Sequence, residues 1–556
     1  MERKNKSLFQ LLLGAAYLVS VAMCVCTPML AGGGSDTEVS GRIVTVDGKG
    51  NPATQVSLIP QAYNPAFDST LAQVATRTTD ADGNYRFEKI TAGDYNLFAA
   101  NAAQGTRLLR SNIKVDDSPV VVPPDSLRKT ATLVLPLPDS IIALSGYVYV
   151  QGTPLCRQIC AGTDAVVFDS VPQCTLAAVQ FKTGSTGSAA LLFANVVIGS
   201  SGTLVISPYD SWAHSAKITI NTSASGAPVT GPLAHFPLLV RLDASNFNFS
   251  QAKTGGADIR FSKANGRPLA FEIAHWDVAL SQAVIWVSID TIYGNSATQY
   301  VRMFWGNPAA VGASDANAVF DTAYGFAAVW HLEEEKSGVG TPALYKDATP
   351  AAADGDDWIS SVDQSGIVGC GHSFSGSDKI STNSGITEMA AGSVTIAVWV
   401  NLAAAGGVIC AKGKENMVQN GGEKQLYLGD GTPNGASGLR PSFSGKGNGS
   451  AIADKDVPLD NRWHYLVFRW NWESGTAGTS AFFLDSAQTG ITSTYTAAAK
   501  DNAGDMVSIG YNGIQYLKGS LDELHISKTA RSSDWILFSY ENQKPGQNAV
   551  VITTEK

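Results

Sequence analysis

The sequence has few charged residues and no long stretch with the spacing of an amphipathic helix. Charged residues make up 16% of the 556 residues, whereas glycine occurs 55 times. This composition is typical of short strands joined by Gly, Ser, Asn and Asp turns, so it predicts an all-β chain. A single hydrophobic core is excluded at this length, and we expect three to five domains.

Positive charge is also scarce. The formal net charge is −9, and no cluster of Lys and Arg offsets it. A protein that binds nucleic acid usually presents a basic patch to the phosphates. We therefore expect no nucleic-acid partner.

The N-terminus has the pattern of an export signal. A basic segment at 2–6 precedes an apolar run at 8–25, which is short for a membrane span and has no charged residue on its far side. Its end has two interpretations. Cys24 stands near the end of the run, after Val21-Ala22-Met23, where a bacterial lipoprotein has its lipidated cysteine, or a signal peptidase cuts after Ala31. The Gly-rich tether at 32–35 favours the lipoprotein. We expect an outer-membrane lipoprotein or a cell-surface or extracellular protein, whose only membrane contact is the lipid anchor.

Five cysteines follow the signal, and an exported chain permits disulfides. They are Cys156, Cys160, Cys174, Cys370 and Cys410. One pair among the first three can bridge and leave the third free, and the last two either pair or are buried thiols. The first three lack a fourth zinc ligand and a nearby histidine, so we expect no metal there.

The first module after the signal has three strand and turn signals. They are VSGRIV at 39–44, the turn TDADGN at 79–84 and the alternating run YRFEKI at 85–90. The segment 38–136 resembles the carboxypeptidase regulatory-like, transthyretin-like family, which implies a small β-sandwich. Modules of this kind usually act as spacers.

A degenerate second copy follows at 139–210. LSGYV at 144–148 parallels VSGRI at 39–43, and FDSV at 168–171 parallels FEKI at 87–90. Prolines near the boundary indicate a stiff connector.

Tryptophan is absent before Trp212, and all eleven tryptophans lie at or beyond it. The segment that begins there resembles the bacterial domain of unknown function 2341, and the resemblance rests on FPLLVRL at 236–242, ADIRF at 257–261, LAFEI at 269–273, IWV at 285–287 and MFWGN at 303–307. It implies a β-sandwich beside a laminin-G-like domain on exported proteins. Four charged side chains of this segment are expected at strand ends, as a salt-bridge network or as ligand contacts: Asp258, Arg260, Glu272 and Asp277.

Three strand-length stretches in the last third of the chain alternate as a sheet with one buried face does. They are SVTIAVWV at 393–400, RWHYLVF at 462–468 and GSLDELHI at 519–526. Their order and spacing resemble the laminin-G type of the concanavalin A-like jelly roll, and GFAAVWHL at 325–332 fits the opening of that class. Most members of this class bind carbohydrate or protein surfaces, and a minority cleave glycans.

The sequence therefore predicts an all-β, multidomain array of small β-sandwiches that ends in a concanavalin A-like jelly roll. Its parts are the signal peptide and tether (1–31), the carboxypeptidase regulatory-like sandwich (38–136), its degenerate copy (139–210), the domain of unknown function 2341 (212–312) and the laminin-G-like jelly roll (318–545).

We expect no catalytic centre. Retaining glucanases of this fold carry E-x-D-x-E on one strand, but no Glu of this chain has Asp two residues later. Alternation places Asp522 and Glu523 on opposite faces of their strand, where they cannot share a substrate. The G-x-S-x-G and H-E-x-x-H motifs are absent, and the seven histidines show no paired spacing.

Two tryptophans are the candidate ligand-binding residues, because aromatic faces stack on sugar rings. Trp358 ends the polar segment 354–358, and Trp472 lies on one extended face with Phe468 and Trp470. The alternative for Trp472 is that it caps the edge of the core.

Asp522 is the candidate metal ligand. The jelly-roll resemblance implies an Asp on the last long strand that helps to hold a structural calcium, the only cofactor expected. Calcium needs six to eight oxygens, so the alternative for Asp522 is a structural hydrogen bond.

The expected function is non-catalytic binding of a polysaccharide or glycoconjugate by the jelly roll. The alternative is a structural or protein-binding adhesin with no glycan ligand, and a glycan-cleaving enzyme is the third choice.

Overall fold

The computed structural model describes ten segments of the chain: 37–68, 74–335, 340–360, 363–386, 392–413, 424–429, 439–445, 450–474, 477–493 and 506–556. In these segments eight β-sheets pair into four sandwiches, which confirms the all-β, multidomain prediction. The predicted signal segment, with Cys24, lies outside the described residues. No helix within the described segments has the length and apolar character needed to cross a membrane.

The first sandwich packs a three-stranded sheet, in the order β4-β1-β7, on a five-stranded sheet, in the order β3-β2-β5-β6-β8. Its strands are β1 (Thr37–Val44), β2 (Gln55–Pro60), β3 (Ala75–Thr78), β4 (Asn84–Ile90), β5 (Gly93–Asn101), β6 (Thr106–Val115), β7 (Val120–Ser126) and β8 (Arg128–Lys129).

The second sandwich packs the sheets β12-β9-β15 and β11-β10-β13-β14 around its own core. Its elements are β9 (Ala131–Pro136), α1 (Asp139–Ile142), β10 (Gly146–Tyr149), β11 (Cys156–Ile159), β12 (Ala165–Val171), β13 (Thr175–Lys182), β14 (Ala190–Val197) and β15 (Gly202–Val205). The predicted boundary at 136–139 is wrong, because β9 hydrogen-bonds within the second sandwich.

The first two sandwiches share a topology. In each, the opening strand lies between an antiparallel neighbour and a parallel strand that is the last of its sheet along the chain. Phe87 on β4 and Phe168 on β12 are equivalent, and both strands have a positive φ two residues later, at Lys89 and Ser170. The parallel between the FEKI and FDSV stretches therefore agrees with the structure. The other parallel is wrong, because Gly146 lies in β10, which belongs to the opposite sheet.

The cysteines of the second sandwich are thiols. Cys156 and Cys174 are half-buried and Cys160 is exposed, so the bridge that the sequence permits is not formed. Burial raises the pKa of Cys174 to about 11. In the jelly roll Cys410 is a buried thiol that does not pair with Cys370.

The third sandwich packs a three-stranded sheet, in the order β17-β21-β20, on a larger sheet that contains β19, β18, β22 and β16. Its elements are β16 (His214–Ile220), β17 (Leu233–Asp243), β18 (Arg260–Lys263), β19 (Pro268–Leu269), β20 (Phe271–Asp277), β21 (Gln282–Ile292), β22 (Gln299–Trp305) and α2 (Ala316–Val319).

The fourth sandwich is a jelly roll of two large sheets around the largest buried core. Its elements are β23 (Phe326–Trp330), β24 (Thr341–Tyr345), β25 (Gly355–Trp358), β26 (Asp363–Ser365), β27 (Cys370–Ser375), β28 (Lys379–Gly385), β29 (Val394–Leu402), β30 (Gly407–Lys412), β31 (Lys424–Gly429), β32 (Arg440–Gly445), β33 (Ser450–Ala453), β34 (His464–Ser474), β35 (Ala477–Leu484), β36 (Ala487–Gln488), β37 (Ile491–Ser493), β38 (Met506–Ile509), β39 (Lys518–Ser527) and α3 (Ser533–Gln543).

The two sheets of the jelly roll have different neighbours. The proximal sheet has the order β26-β27-β39-β29-β34-β35-β36, with β23 also on β39, and it faces the third sandwich. The distal sheet has the order β24-β25-β28-β38-β30-β31-β32-β33-β37.

The third sandwich packs directly on the proximal sheet. Leu239 and Trp286, on the outer face of the β17-β21-β20 sheet, share a buried cluster with Phe326 and Val329 of the jelly roll. Helix α3 fills the rest of the contact, since Phe538 enters the core of the third sandwich and Ile536 packs on the proximal sheet. The two sandwiches therefore form one four-layer stack, which sequence reasoning did not predict.

The last strand, β40 (Val550–Thr554), pairs with β16 and completes a five-stranded sheet of the third sandwich. Val550 and Ala549 lie in that core. The predicted boundaries, 212–312 and 318–545, left this strand outside both domains. The third sandwich is thus built from two separate parts of the chain.

We expect Val550→Ala to destabilise the third sandwich more than Val551→Ala does. The Val550 side chain is 7% exposed and that of Val551 is 50% exposed. Loss of two buried methyl groups costs about 2 kcal/mol, whereas loss of exposed ones costs little. Thermal melting of both variants measures the difference, and equal melting temperatures would contradict the structural role of β40.

Candidate functional site

The two predicted ligand-binding tryptophans lie on different sheets, near opposite ends of β39. Trp358 ends β25 in the distal sheet and pairs with Lys379 on β28. The ring of Tyr516, just before β39 begins, belongs to the same neighbourhood. Trp472 follows Trp470 at the other end, where β34 and the end of β39 flank β29. Ten residues of strand span about 30 Å, so the two tryptophans cannot form one platform.

Trp358 is part of an exposed group of aromatic rings, which we call the aromatic patch. Trp358 is 41% exposed, and Lys379 Nζ lies 5.6 Å from its ring and 5.4 Å from the ring of Tyr511. Tyr511 stacks on Tyr516 with ring centroids 4.2 Å apart. The patch comes from β25, β28 and the loop between β38 and β39, which adjoin in the distal sheet.

Asp378 holds two sides of the patch in place. Its Oδ1 accepts hydrogen bonds from the backbone and side chain of Ser360, just after β25, and its Oδ2 accepts one from the backbone of Ser375 at 2.7 Å. Burial raises the pKa of Asp378, but these hydrogen bonds outweigh burial and lower the pKa to about 2. The ionised carboxylate thus fixes the turn before Lys379 against the end of β25.

Trp472 lies at the margin of the core. Phe468 and Trp470, on the same face of β34, are buried in the jelly-roll core, while Trp472 is 39% exposed. Its backbone N–H donates to Ser393 Oγ at 3.0 Å. Its position agrees with the alternative in which it caps the edge of the core.

The surroundings of Asp522 do not fit a calcium site. Asp522 is fully buried, and its Oδ2 accepts hydrogen bonds from the backbone N–H groups of Ile367 at 2.6 Å and Val368 at 2.9 Å. These partners are donors, whereas calcium requires a shell of oxygen ligands. Burial, with the neighbouring charge of Glu523, raises the pKa of Asp522 well above its usual value. These contacts agree with the alternative of a structural hydrogen bond for Asp522.

The expectation that Asp522 and Glu523 face opposite sides of β39 is wrong. The register of β39 against β29 shifts between the partners of Trp399 and Ala397, and Glu523 has φ 52°. A β-bulge at this position breaks the alternation of side chains. Both carboxylates, together with His525, therefore lie on the side of the sheet that faces the third sandwich.

A buried group of imidazoles and carboxylates occupies this contact. His331, just after β23, has its Nδ1 2.8 Å from Glu523 Oε2 and its Nε2 3.2 Å from Glu272 Oε2 on β20. His525 Nε2 lies 2.7 Å from the same Glu523 oxygen. We call these four residues the histidine–glutamate cluster. It joins one side chain of the third sandwich to three of the jelly roll.

The electrostatics of the cluster favour an ionised Glu523 beside a charged His331. Burial opposes charge on both groups. The carboxylates of Glu523 and Glu272 nevertheless raise the pKa of His331 well above its usual value. In return the charge of His331, with hydrogen bonds from both histidines, lowers the pKa of Glu523.

Further charged groups surround the cluster. Glu333 lies 3.3 Å from His275 Nδ1, and burial raises the pKa of Glu333. Arg241 donates to the backbone oxygens of Ile367 and Asn542, and burial lowers its pKa to about 10. The contact between the two sandwiches is therefore apolar at its centre and ionic beside it.

The four charged residues expected as a network in the third sandwich have separate roles. Asp258 is buried and accepts backbone hydrogen bonds from Lys253 and Gly306. Arg260 donates to the backbone and lies over the Trp212 ring, and Asp277 caps a turn. Glu272 belongs to the histidine–glutamate cluster.

Sequence reasoning missed the cluster. His331 and His525 stand in the stretches GFAAVWHL and GSLDELHI, which carried the jelly-roll resemblance, but they are 194 positions apart. The available signal was a histidine at a polar position in β39 and another directly after β23.

We expect Asp378→Asn to lower stability relative to the wild type more strongly at neutral pH than at pH 2. The folded pKa of Asp378 is about 2, below its unfolded value of 3.8, so its stabilisation is present above about pH 4 and is lost as the pH falls to 2. The shift corresponds to about 2 kcal/mol. Calorimetry of wild type and variant from pH 2 to 6 tests this. The same difference in melting temperature between the two proteins at every pH would contradict it.

Two family models match the chain. Residues 374–537 match the concanavalin A-like lectin/glucanases superfamily, and residues 255–360 match the domain of unknown function DUF2341. Both resemblances are confirmed, although the second match runs beyond the predicted 212–312 into the start of the jelly roll. The carboxypeptidase regulatory-like resemblance of the first two sandwiches stays a prediction. No curated protein matches the chain.

Several solved structures are similar to part of the chain. The botulinum neurotoxin type G receptor-binding domain is 11% identical, with a TM-score of 0.28 over 39% of this chain and 51% of its own, so the match spans about half of that protein. Domain 4 of AbnA, a GH43 extracellular arabinanase from Geobacillus stearothermophilus in complex with arabinotriose, is 14% identical, with a TM-score of 0.24 over 32% of this chain and 79% of its own. A heptameric SAP-like pentraxin from Limulus polyphemus is 15% identical, with a TM-score of 0.25 over 33% and 92%.

The assignment of the chain rests on the two family models and on the two large sheets of the fourth sandwich. The C-terminal part of this protein is a lectin-like jelly roll of the concanavalin A-like class, preceded by a DUF2341 domain.

Proposed function

We propose that the protein is exported to the cell surface and binds a carbohydrate, without cleaving it, through the aromatic patch of its jelly roll. The observation that carries the proposal is an exposed Trp358 beside the stacked pair Tyr511 and Tyr516. Sugar rings present apolar C–H faces that stack on aromatic rings. The polar groups of tyrosine and tryptophan rings remain hydrated at such a surface.

The arrangement of the layers supports the distal side as the binding surface. The proximal sheet packs on the third sandwich and on α3, so its outer face is already in use. The aromatic patch lies on the distal sheet, where a polymer can approach from solvent.

Non-catalytic binding agrees with the state of the carboxylates beside the proximal sheet. Asp522 and Glu523 are fully buried and Glu272 is nearly so. A retaining glycosidase needs two carboxylates that flank a substrate bond. Those of the histidine–glutamate cluster flank histidines instead.

The first two sandwiches act as spacers in this proposal. The junction between the second and third sandwiches is held by ion pairs of Lys263 with Asp164 and of Arg267 with Asp139. Between the first two, Gly152 N–H donates to Tyr63 O and Asn96 Nδ2 donates to Gly152 O. Direct contacts at both junctions are consistent with a spacer that holds the jelly roll away from the N-terminal anchor.

Trp358→Ala should weaken glycan retention about 2- to 10-fold, which corresponds to the 0.5–1.5 kcal/mol of a stacking contact, and should leave the melting temperature nearly unchanged. A glycan array identifies the ligand, and titration measures the loss. The probe is the chain without its first 31 residues. The isolated jelly roll is unsuitable, because α3 and β40 pack into the third sandwich.

Leu280→Ala is the matched control, since Leu280 is 67% exposed on the third sandwich. If Trp472→Ala weakens glycan retention and Trp358→Ala does not, the binding site lies at the other end of the jelly roll. Retention of no glycan would favour an adhesin that binds protein, and release of reducing ends would favour a glycan-cleaving enzyme.

We also propose that Cys24 is lipidated and anchors the protein, which rests on the apolar run before it and the Gly-rich tether after it. A palmitate analogue should label wild-type cells and should not label cells that carry Cys24→Ser. A mature N-terminus at Gly32 would contradict the anchor and leave an exported, unanchored chain.

A further inference from the structure

We infer that His331, Glu523 and His525 bind one divalent transition-metal ion, with zinc the first candidate. The ligand atoms of these three side chains all lie within 4.8 Å of one another. Two imidazole nitrogens and a carboxylate oxygen are a donor set typical of zinc. Calcium prefers oxygen donors alone and is not favoured here.

The orientation of His331 supports the inference. Its Nε2 lies 3.2 Å from Glu272 Oε2, and its Nδ1 points at Glu523. A metal-bound histidine commonly gives its second ring nitrogen to a carboxylate, which fixes the ring and leaves the first nitrogen for the ion. The ion would take the place of the proton that His331 Nδ1 shares with Glu523, and that proton would be released to solvent. Glu272 has that position, and it comes from the other sandwich.

The backbone beside the ligands is held in an uncommon conformation. Glu523 has φ 52° and Leu332, next to His331, has φ 61°. Non-glycine residues with positive φ are uncommon and cost free energy, so they persist where a functional or packing constraint requires them. Here the bulge at Glu523 turns its carboxylate to the same side as His525.

The surroundings point to a structural ion. The side chains of His331, Glu523 and His525 are 9%, 0% and 13% exposed. The Trp286 ring stacks on His331 at 5.7 Å, and the Phe320 ring meets both histidines edge-on. Such a shell excludes bulk solvent and strengthens the attraction between the ion and its ligands. The ion would fix the ring of His331 in its contact with Glu272 of the third sandwich.

The test uses the whole chain without its first 31 residues, stripped with a chelator and then titrated with Zn²⁺ against a chromogenic competitor. We expect one tightly bound ion per chain, lost in His525→Ala and bound 10- to 100-fold more weakly in Glu272→Gln. Co²⁺ in the same site should show the visible absorption of an imidazole-bound ion of low coordination number.

His464→Asn is the matched control. His464 also lies between two carboxylates, with Nδ1 2.8 Å from Asp485 and Nε2 3.1 Å from Asp460, but it is not part of this cluster. The variant should bind Zn²⁺ as the wild type does. Failure of the wild type to bind Zn²⁺ would overturn the site, as would a spectrum of hydrated Co²⁺. If His525→Ala does not fold, the titrations of the wild type and of Glu272→Gln still show whether the cluster binds Zn²⁺.

Discussion

The packing of the third sandwich on the proximal sheet is the contact on which the C-terminal half of the structure depends. The side chain of Asn542 on α3 pairs with both backbone groups of Leu239, accepting from its N–H at 2.8 Å and donating to its C=O at 2.9 Å. A buried backbone group that loses such a partner costs free energy, so displacement of α3 would destabilise the structure. The same contact brings Glu272 to His331 and directs the aromatic patch to the opposite side of the jelly roll.

Strand-level features of the jelly roll could be predicted from sequence because they are local. The strands at Val394–Leu402 and His464–Ser474 were visible in the sequence, and the family resemblance supplied the topology. The expectation of a single buried face is wrong, because α3 covers the outer face of these strands as well. The position of Trp358 at a polar strand end was likewise visible, since polar neighbours mark solvent.

Long-range pairings and bulges were not visible. Nothing local in Val550–Thr554 shows that it completes a sheet begun more than 300 residues earlier, at His214–Ile220. Strict alternation assigned Asp522 and Glu523 to opposite faces, and one bulged residue reversed that result. The boundary at Pro136 failed for a related reason, because proline-rich sequence marks stiffness and does not say with which sheet a strand pairs.

The return of the chain through β40 makes the jelly roll an insertion within the third sandwich. The polypeptide enters it after β22 and α2 and leaves it through α3, so two covalent connections join it to its base. In the proposed function the jelly roll holds a polymer and therefore experiences pulling forces. With two connections, tension at the distal sheet is divided between two strands of one sheet, β22 and β40, which flank β16 on either side. A protease that cuts one connection would still leave the jelly roll attached by the other.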